Sequence, residues 1–151
     1  MGVGVVTLGK PYSCRSMPNN LSNFDFAEEF RQRTKAFALR IMKVVDRLPT
    51  MPSCRTAGMQ LVRSGSSVAA NYRAACRARS EREFLAKMHI ALEEADESVL
   101  WLELLSEGGH LPEGKLDELL VEAKSIMSIL GKAEKTARDK QKKSTGQSGK
   151  E

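Results

Sequence analysis

Residue types that mark whole classes of protein are scarce in this chain of 151 residues, which has three cysteines, five prolines and 5% aromatic residues. Cys14, Cys54 and Cys76 are widely spaced and form no C-x-x-C pair, which excludes a disulfide framework. No apolar run is long enough to cross a bilayer, and residues 1–9 lack the basic start and long apolar segment of a secretory signal. We therefore expect a cytoplasmic protein with reduced thiols and no membrane association.

The sequence also lacks the patterns of catalytic and metal sites. Its two histidines, His89 and His110, do not belong to Glu-x-x-His pairs on two helices, the pattern of a bundle metal site. Ser66 and Ser67 stand in R-S-G-S-S, which is not the G-x-S-x-G of a nucleophile elbow. The nearby string G-M-Q-L-V-R-S-G lacks the ending of a phosphate-binding loop. The sequence predicts no enzyme activity, no metal and no cofactor.

Apolar residues, which make up 41% of the chain, recur at helical spacing in four segments joined by short connections. The pattern predicts an all-α protein, an antiparallel up-down four-helix bundle with one core. The predicted helices run over about 25–48, 53–77, 80–106 and 112–137. The predicted organisation is a flexible N-terminal tail over 1–22, the bundle over 23–137, and a disordered basic C-terminal tail over 138–151.

The second predicted helix is unusually rich in small residues. Gly65 lies on its apolar stripe, where glycine is unfavourable by roughly 1 kcal/mol relative to alanine unless another backbone approaches closely. Gln60, Arg63, Ser67 and Asn71 form a polar stripe on the same helix. Lys and Glu, the usual residues of a solvated face, are absent there, which favours an interhelical or intersubunit hydrogen-bond network over a plain solvent face.

Charge is divided more sharply than the formal net charge of +5 indicates. Residues 55–79 hold five arginines and no acid, residues 80–108 hold eight acids and two basic residues, and residues 132–151 hold seven basic and three acidic residues. Three interpretations remain open. The surfaces neutralise each other within the chain, the basic face of one copy meets the acidic face of the next, or the arginines bind phosphate groups.

The second and third predicted helices carry a set of motifs that resembles a known family. The order is Q-x-x-R-x-x-x-S-x-x-x-N from Gln60 to Asn71, then R-A-R-S-E-R-E-F from Arg77 to Phe84, then a leucine-rich helix from His89. This order resembles the four-helix-bundle protein family, which includes proteins encoded in intervening sequences of bacterial 23S rRNA genes. The accessory variability determinant of diversity-generating retroelements is similar to them. The resemblance covers roughly residues 24–135.

The resemblance implies a homopentameric ring with a positively charged surface and no enzymatic activity. It implies binding of structured RNA, or service as an accessory to a reverse transcriptase. We therefore expect a non-catalytic homo-oligomer that contacts the backbone of RNA or DNA, with a protein-interaction scaffold or accessory subunit as the alternative. The expected nucleic-acid contacts are Arg55, Arg63, Arg73, Arg77, Arg79 and Arg82. The expected helix-contact or oligomer network is Gln60, Arg63, Gly65, Ser67 and Asn71.

Overall fold

A computed structural model describes residues 23–146 and shows four α-helices, with no β-strand among those residues. The all-α fold predicted from the sequence is confirmed. The helices are α1 (Asn23–Val45), α2 (Pro52–Ala75), α3 (Glu81–Glu107) and α4 (Asp117–Gly146). None of these helices is long and apolar enough to cross a membrane.

Neighbouring helices run in opposite directions. Lys124 of α4 pairs with Glu103 near the end of α3, whereas Glu134, further along α4, pairs with His89 near the start of α3. α2 and α3 are joined by only the five residues 76–80, a connection short enough to make these two helices antiparallel neighbours as well. The bundle is therefore an up-and-down arrangement in which each helix packs against the next.

The start of α3 follows the sequence signal closely. The Ser80 side chain caps the helix by accepting a hydrogen bond from the backbone N–H of Glu83 at 3.1 Å. The Glu83 carboxylate reaches back and accepts from the backbone N–H of Arg79 at 2.8 Å. The first of these bonds is the one that the S-x-x-E pattern predicts, whereas the second goes to the backbone N–H of the residue before the N-cap and not to that of Ser80.

The start of α4 differs from the prediction. The helix begins at Asp117 and not near Pro112, because the intervening residues form turns. Lys115 N–H donates to the Pro112 carbonyl at 3.2 Å, and Gly114 adopts a φ of +75°. A positive φ is incompatible with a right-handed helix, so proline here begins a turn.

At its other end, α4 continues to Gly146, so the predicted bundle boundary at residue 137 lies inside a helix. Ala133 and Ala137 are buried and continue the apolar stripe past the last leucine, Leu130. The predicted N-terminal tail, residues 1–22, and the last five residues of the predicted C-terminal tail lie outside the described residues.

α1 and α2 approach closely where α2 carries glycine. A Cβ added to Gly65 would lie 2.3 Å from Ile41 Cδ1, and one added to Gly58 would lie 3.0 Å from Val45 Cγ1. Ile41 is fully buried. Since the contacts run backwards along α1 as α2 advances, this pair is also antiparallel. The two glycines of α2 therefore allow α1 to pack against its backbone.

We expect Gly65→Leu to lower the free energy of unfolding by about 1–3 kcal/mol or more, because the added atoms overpack the contact with Ile41. Urea unfolding followed by circular dichroism measures this change. Gly131→Ala in α4 is the matched control, since its Cβ would lie 3.8 Å from Leu92 Cδ1, an ordinary contact distance. The control should gain up to about 1 kcal/mol from helix propensity.

A substitution of Ile41, the α1 residue in this contact, tests the same packing by partial rescue of stability. Ile41→Val removes the Cδ1 atom that the new side chain would meet, so Gly65→Ala should be better tolerated in that background than in the wild type. Equal effects of Gly65→Ala in both backgrounds would contradict the packing argument.

Candidate nucleic-acid interface

The polar stripe predicted on α2 consists of two hydrogen-bonded pairs. Arg63 Nε donates to Gln60 Oε1 at 3.0 Å, and Asn71 Nδ2 donates to both the hydroxyl and the carbonyl of Ser67, each at 3.0 Å. Both pairs have the spacing of adjacent turns of one helix. The stripe is thus organised locally along α2, and only its arginine reaches another helix.

Arg63 joins α2 to α3. Its Nη1 donates to the Glu94 carboxylate at 3.2 Å, and its Nη2 donates to both carboxylate oxygens of Glu97. Trp101 Nε1 donates to Glu97 at 3.0 Å from the next turn of α3. These bonds to the charged form, first from Arg63 and then from Trp101, lower the pKa of Glu97 below its usual value. The interhelical network therefore lies within one chain.

The pairing of Arg63 separates it from the other arginines predicted to bind nucleic acid. Two carboxylates already balance its positive charge, and the hydrogen bond to Glu97 is the largest cause of the raised pKa of its guanidinium. A phosphate group would have to displace these partners. The structure places Arg63 as a link between helices at the surface, with half of its side chain exposed.

A buried polar pair lies directly beneath this surface network. The hydroxyl oxygens of Ser64 on α2 and Ser98 on α3 are 2.9 Å apart, and both residues are fully buried. The Ser98 hydroxyl is also 2.8 Å from the carbonyl oxygen of Glu94. Ser98 is not among the residues predicted from the sequence. The signal that could have found it is a serine on the otherwise apolar stripe of α3.

Four of the predicted arginines gather at the corner between α2 and α3. Arg73 lies in the last turn of α2, Arg77 and Arg79 lie in the connection, and Arg82 lies in the first turn of α3. All four are exposed, and none pairs with a carboxylate of the described residues. We name these four residues the corner arginines. Their positive charges are therefore accessible to an anion from solution.

Arg55, the remaining predicted contact, lies apart from the corner arginines. It belongs to the first turn of α2 and is exposed, whereas Arg73 is in the last turn. At about 1.5 Å per residue, the 18 residues between them separate the two along the helix axis by roughly 27 Å. The six predicted residues therefore do not form one face.

The C-terminal part of α4 lies at the same end of the bundle as the corner arginines. Because Glu134 pairs with His89, the later residues Lys142 and Lys143 are level with the start of α3. Both lysines are exposed. The sequence predicted a disordered tail over these residues, so their position beside the corner arginines was not predicted.

The described part of the chain thus has ends of opposite charge. The ion pair between Arg33 and Glu122 joins the two ends at their boundary and is left out of both counts. At one end, residues 25–35, 73–89 and 132–143 carry 13 basic and seven acidic side chains, a net charge of +6. The other end, residues 40–63 and 93–124, carries seven basic and 10 acidic side chains, a net charge of −3. We call the first the basic end. Long-range attraction would steer a polyanion toward it.

The described residues offer little for catalysis. Within 23–146, no three His, Cys, Asp or Glu side chains are arranged to hold a metal ion. Ser53 Oγ and His110 Nε2 lie 3.5 Å apart at the start of α2, beyond the usual reach of an activated nucleophile and its base.

The fold and this charge distribution define a small four-helix-bundle protein with one strongly basic end. The family model described as 23S rRNA-intervening sequence protein matches residues 28–132, and the chain belongs to that family. This confirms the resemblance predicted from the motifs of α2 and α3.

A solved structure of similar fold supports the assignment. It is a protein of unknown function from the S23 ribosomal protein family of Bacteroides thetaiotaomicron VPI-5482, 28% identical to this chain with a TM-score of 0.64. The match covers 72% of this chain and 97% of that one. Comparison with curated proteins finds no match.

We expect Glu97→Gln to lower the melting temperature by a few degrees at pH 7, because it removes the ion pair with Arg63. Arg63 lowers the pKa of Glu97 from its usual 4.5, so the ionised carboxylate stabilises the fold above that pH. This contribution is lost as the pH falls through the lower folded-state pKa. The melting temperatures of variant and wild type should therefore converge in acid.

The matched control for this experiment is Asp96→Asn, a change of the same charge at an exposed neighbour without an ion pair among the described residues. It should shift the melting temperature less at pH 7. An effect of Glu97→Gln that is equally large at pH 7 and at pH 3 would show that charge pairing is not its cause.

Proposed function

We propose that this protein is a non-catalytic homo-oligomer whose basic end binds the phosphate backbone of a nucleic acid, RNA or DNA. The observation that carries the proposal is the exposed group of corner arginines, none of which pairs with a carboxylate of the described residues. Guanidinium groups bind phosphate oxygens in bidentate fashion, and release of counterions from the nucleic acid drives such binding.

The aromatic residues argue for contacts to the backbone rather than to the bases. Tyr72 is fully buried against Phe30 in the core. Trp101 lies on the acidic half of α3, where its indole N–H is bonded to Glu97. Phe84, in the first turn of α3, packs against the core, so neither it nor the buried Tyr72 offers an open ring beside the corner arginines for stacking on bases. Recognition would follow the shape and charge of the nucleic acid rather than its sequence.

Family membership indicates which nucleic acid to test first. The name of the family refers to 23S rRNA, so a structured RNA is the first probe and a DNA duplex of matched length is the second. The resemblance stated from the sequence motifs also implies a pentamer, which remains a prediction. The absence of a convergent catalytic set among the described residues is consistent with a binding role.

A scaffold or an accessory subunit of a reverse transcriptase or another nucleic-acid enzyme is the second candidate. It is favoured by apolar side chains exposed on α3, where Leu100 and Leu104 are 49% and 51% exposed. Such residues are commonly buried by a protein partner. In this function the basic end would assist binding to the same nucleic acid as the enzyme.

We expect the triple variant Arg77→Ala, Arg79→Ala and Arg82→Ala to bind structured RNA at least about 10-fold more weakly than the wild type at low salt. Fluorescence anisotropy over a salt series provides a second readout. The slope of log K against log salt should become shallower by about 0.7–0.9 for each phosphate that the variant no longer neutralises.

Arg47→Ala is the control, because Arg47 is exposed and lies at the acidic end of the bundle. It should leave both the affinity and the slope nearly unchanged. Equal binding by the triple variant and the wild type would contradict the proposed interface. Failure of the wild type to bind RNA or DNA at low salt would contradict nucleic-acid binding itself and favour the scaffold.

A further inference from the structure

One side of α2 carries a solvent-facing stripe that the fold leaves without a partner helix. Its members are spaced by three or four residues and include no acid. Met59, at 68% exposure, is its most exposed large apolar side chain. We name this set the α2 stripe, and it consists of Arg55, Met59, Val62, Ser66, Ala70 and Arg73.

α3 carries a second solvent-facing stripe of the opposite charge. Its members are spaced by three, four, three and four residues, and three of them are large apolar side chains with exposures of 36% to 51%. The remaining two are glutamates. We name this set the α3 stripe, and it consists of Ile90, Glu93, Glu97, Leu100 and Leu104.

The two stripes lie on different sides of the molecule. Ser64 of α2 faces α3, and Gly65, the next residue, faces α1. Because each residue of a helix is rotated by about 100° from the one before it, Ser66 points outward on the α1 side. Leu39 and Met42 of α1, 49% and 40% exposed, extend the apolar surface on that side. The α3 stripe is on the outer surface of α3, away from α1.

We propose that the α2 stripe of one copy packs against the α3 stripe of a second copy. This inference rests on the homo-oligomeric part of the proposed function and names the surfaces that form it. Each stripe combines apolar side chains with charge of one sign. Packing either stripe against its own counterpart would oppose like charges, whereas packing one against the other buries apolar residues and places the arginines of one copy on the acidic surface of the next.

The register of the bundle makes the two stripes match in height. Because Ser64 is level with Ser98, Met59 lies between the levels of Leu100 and Leu104, and Arg55 lies near the level of Glu107. Two copies standing side by side with their helix axes parallel therefore bring Met59 to Leu100 and Leu104, and they bring Arg73 within roughly 6 Å of the level of Glu93. They also bring Arg55 near Glu107, an exposed acid in the last turn of α3.

Such an interface uses a different surface from each copy, so it is heterologous. Until the arrangement closes, the copy at one end keeps an α2 stripe without a partner and the copy at the other end keeps an α3 stripe without a partner. A heterologous interface repeated by a constant rotation closes into a ring, whereas a two-fold symmetric dimer would need a self-complementary surface. The opposite charges of the two stripes favour the ring over the two-fold symmetric dimer.

The test uses two double variants, each of which places in one stripe charges of the same sign as the stripe that faces it. Arg55→Asp with Met59→Asp does so in the α2 stripe, and Leu100→Arg with Leu104→Arg does so in the α3 stripe. Light scattering after size exclusion should give a multiple of 16.7 kDa for the wild type and a monomer for each variant. A 1:1 mixture of the variants should give a dimer, since it restores one intact interface.

Val121→Asp is the matched control, because Val121 is 69% exposed on α4 and belongs to neither stripe. This variant should keep the mass of the wild type. Two variants that oligomerise like the wild type, or a mixture that remains monomeric, would overturn the proposed interface. A monomeric wild type would overturn both the interface and the oligomeric part of the proposed function. It would not overturn RNA binding by the basic end, which the anisotropy experiment tests independently.

Cross-linking keeps the proposal testable if the two double variants fold poorly. Met59→Cys and Leu104→Cys, each in its own chain, should form a disulfide-linked heterodimer when mixed and oxidised. Wild-type protein, with its own thiols such as the buried Cys54, provides the background. Cross-linking within each variant alone, with none between them, would indicate a two-fold symmetric contact and would overturn the proposal.

Discussion

The position of every functional side chain in this bundle follows from how closely α2 approaches its two neighbours. Toward α1, glycine removes the side chain that would collide with Ile41. Toward α3, Ser64 and Ser98 bring two small polar residues into hydrogen-bond distance inside the core. Short side chains leave little freedom to slide, so they set the register of α2 against both helices.

That register explains the electrostatics of the surface. With Ser64 level with Ser98, Arg63 is one residue earlier on α2 and meets Glu97, one residue earlier on α3. The ion pair is therefore a consequence of the core contact beneath it. Exposed ion pairs contribute only modestly to stability, so the chief effect of the pair between Arg63 and Glu97 is to neutralise both charges in the middle of the bundle. The excess of basic over acidic charge remains at one end.

The sequence predicted the parts of this structure that depend on local patterns. Four helices follow from apolar spacing, and the start of α3 follows from Ser80 and Glu83. The end of α4 was placed too early because residues 138–146 contain no large apolar residue, so no apolar spacing marks them as helix. Arg63 could not be separated from the corner arginines, because its partners lie 31 and 34 residues away and depend on the register of two helices.

The proposed lateral contact and the proposed binding end are mutually consistent in geometry. The two stripes run along the sides of the bundle, whereas the corner arginines lie at its tip, so the two surfaces share only Arg73 and leave Arg77, Arg79 and Arg82 uncovered. Parallel copies would place all of their basic ends on one side of the assembly. Repulsion between those ends would weaken the free assembly, and a polyanion spanning several ends would relieve it. Binding and assembly would then strengthen each other, because a single nucleic acid engages several linked sites at high effective concentration.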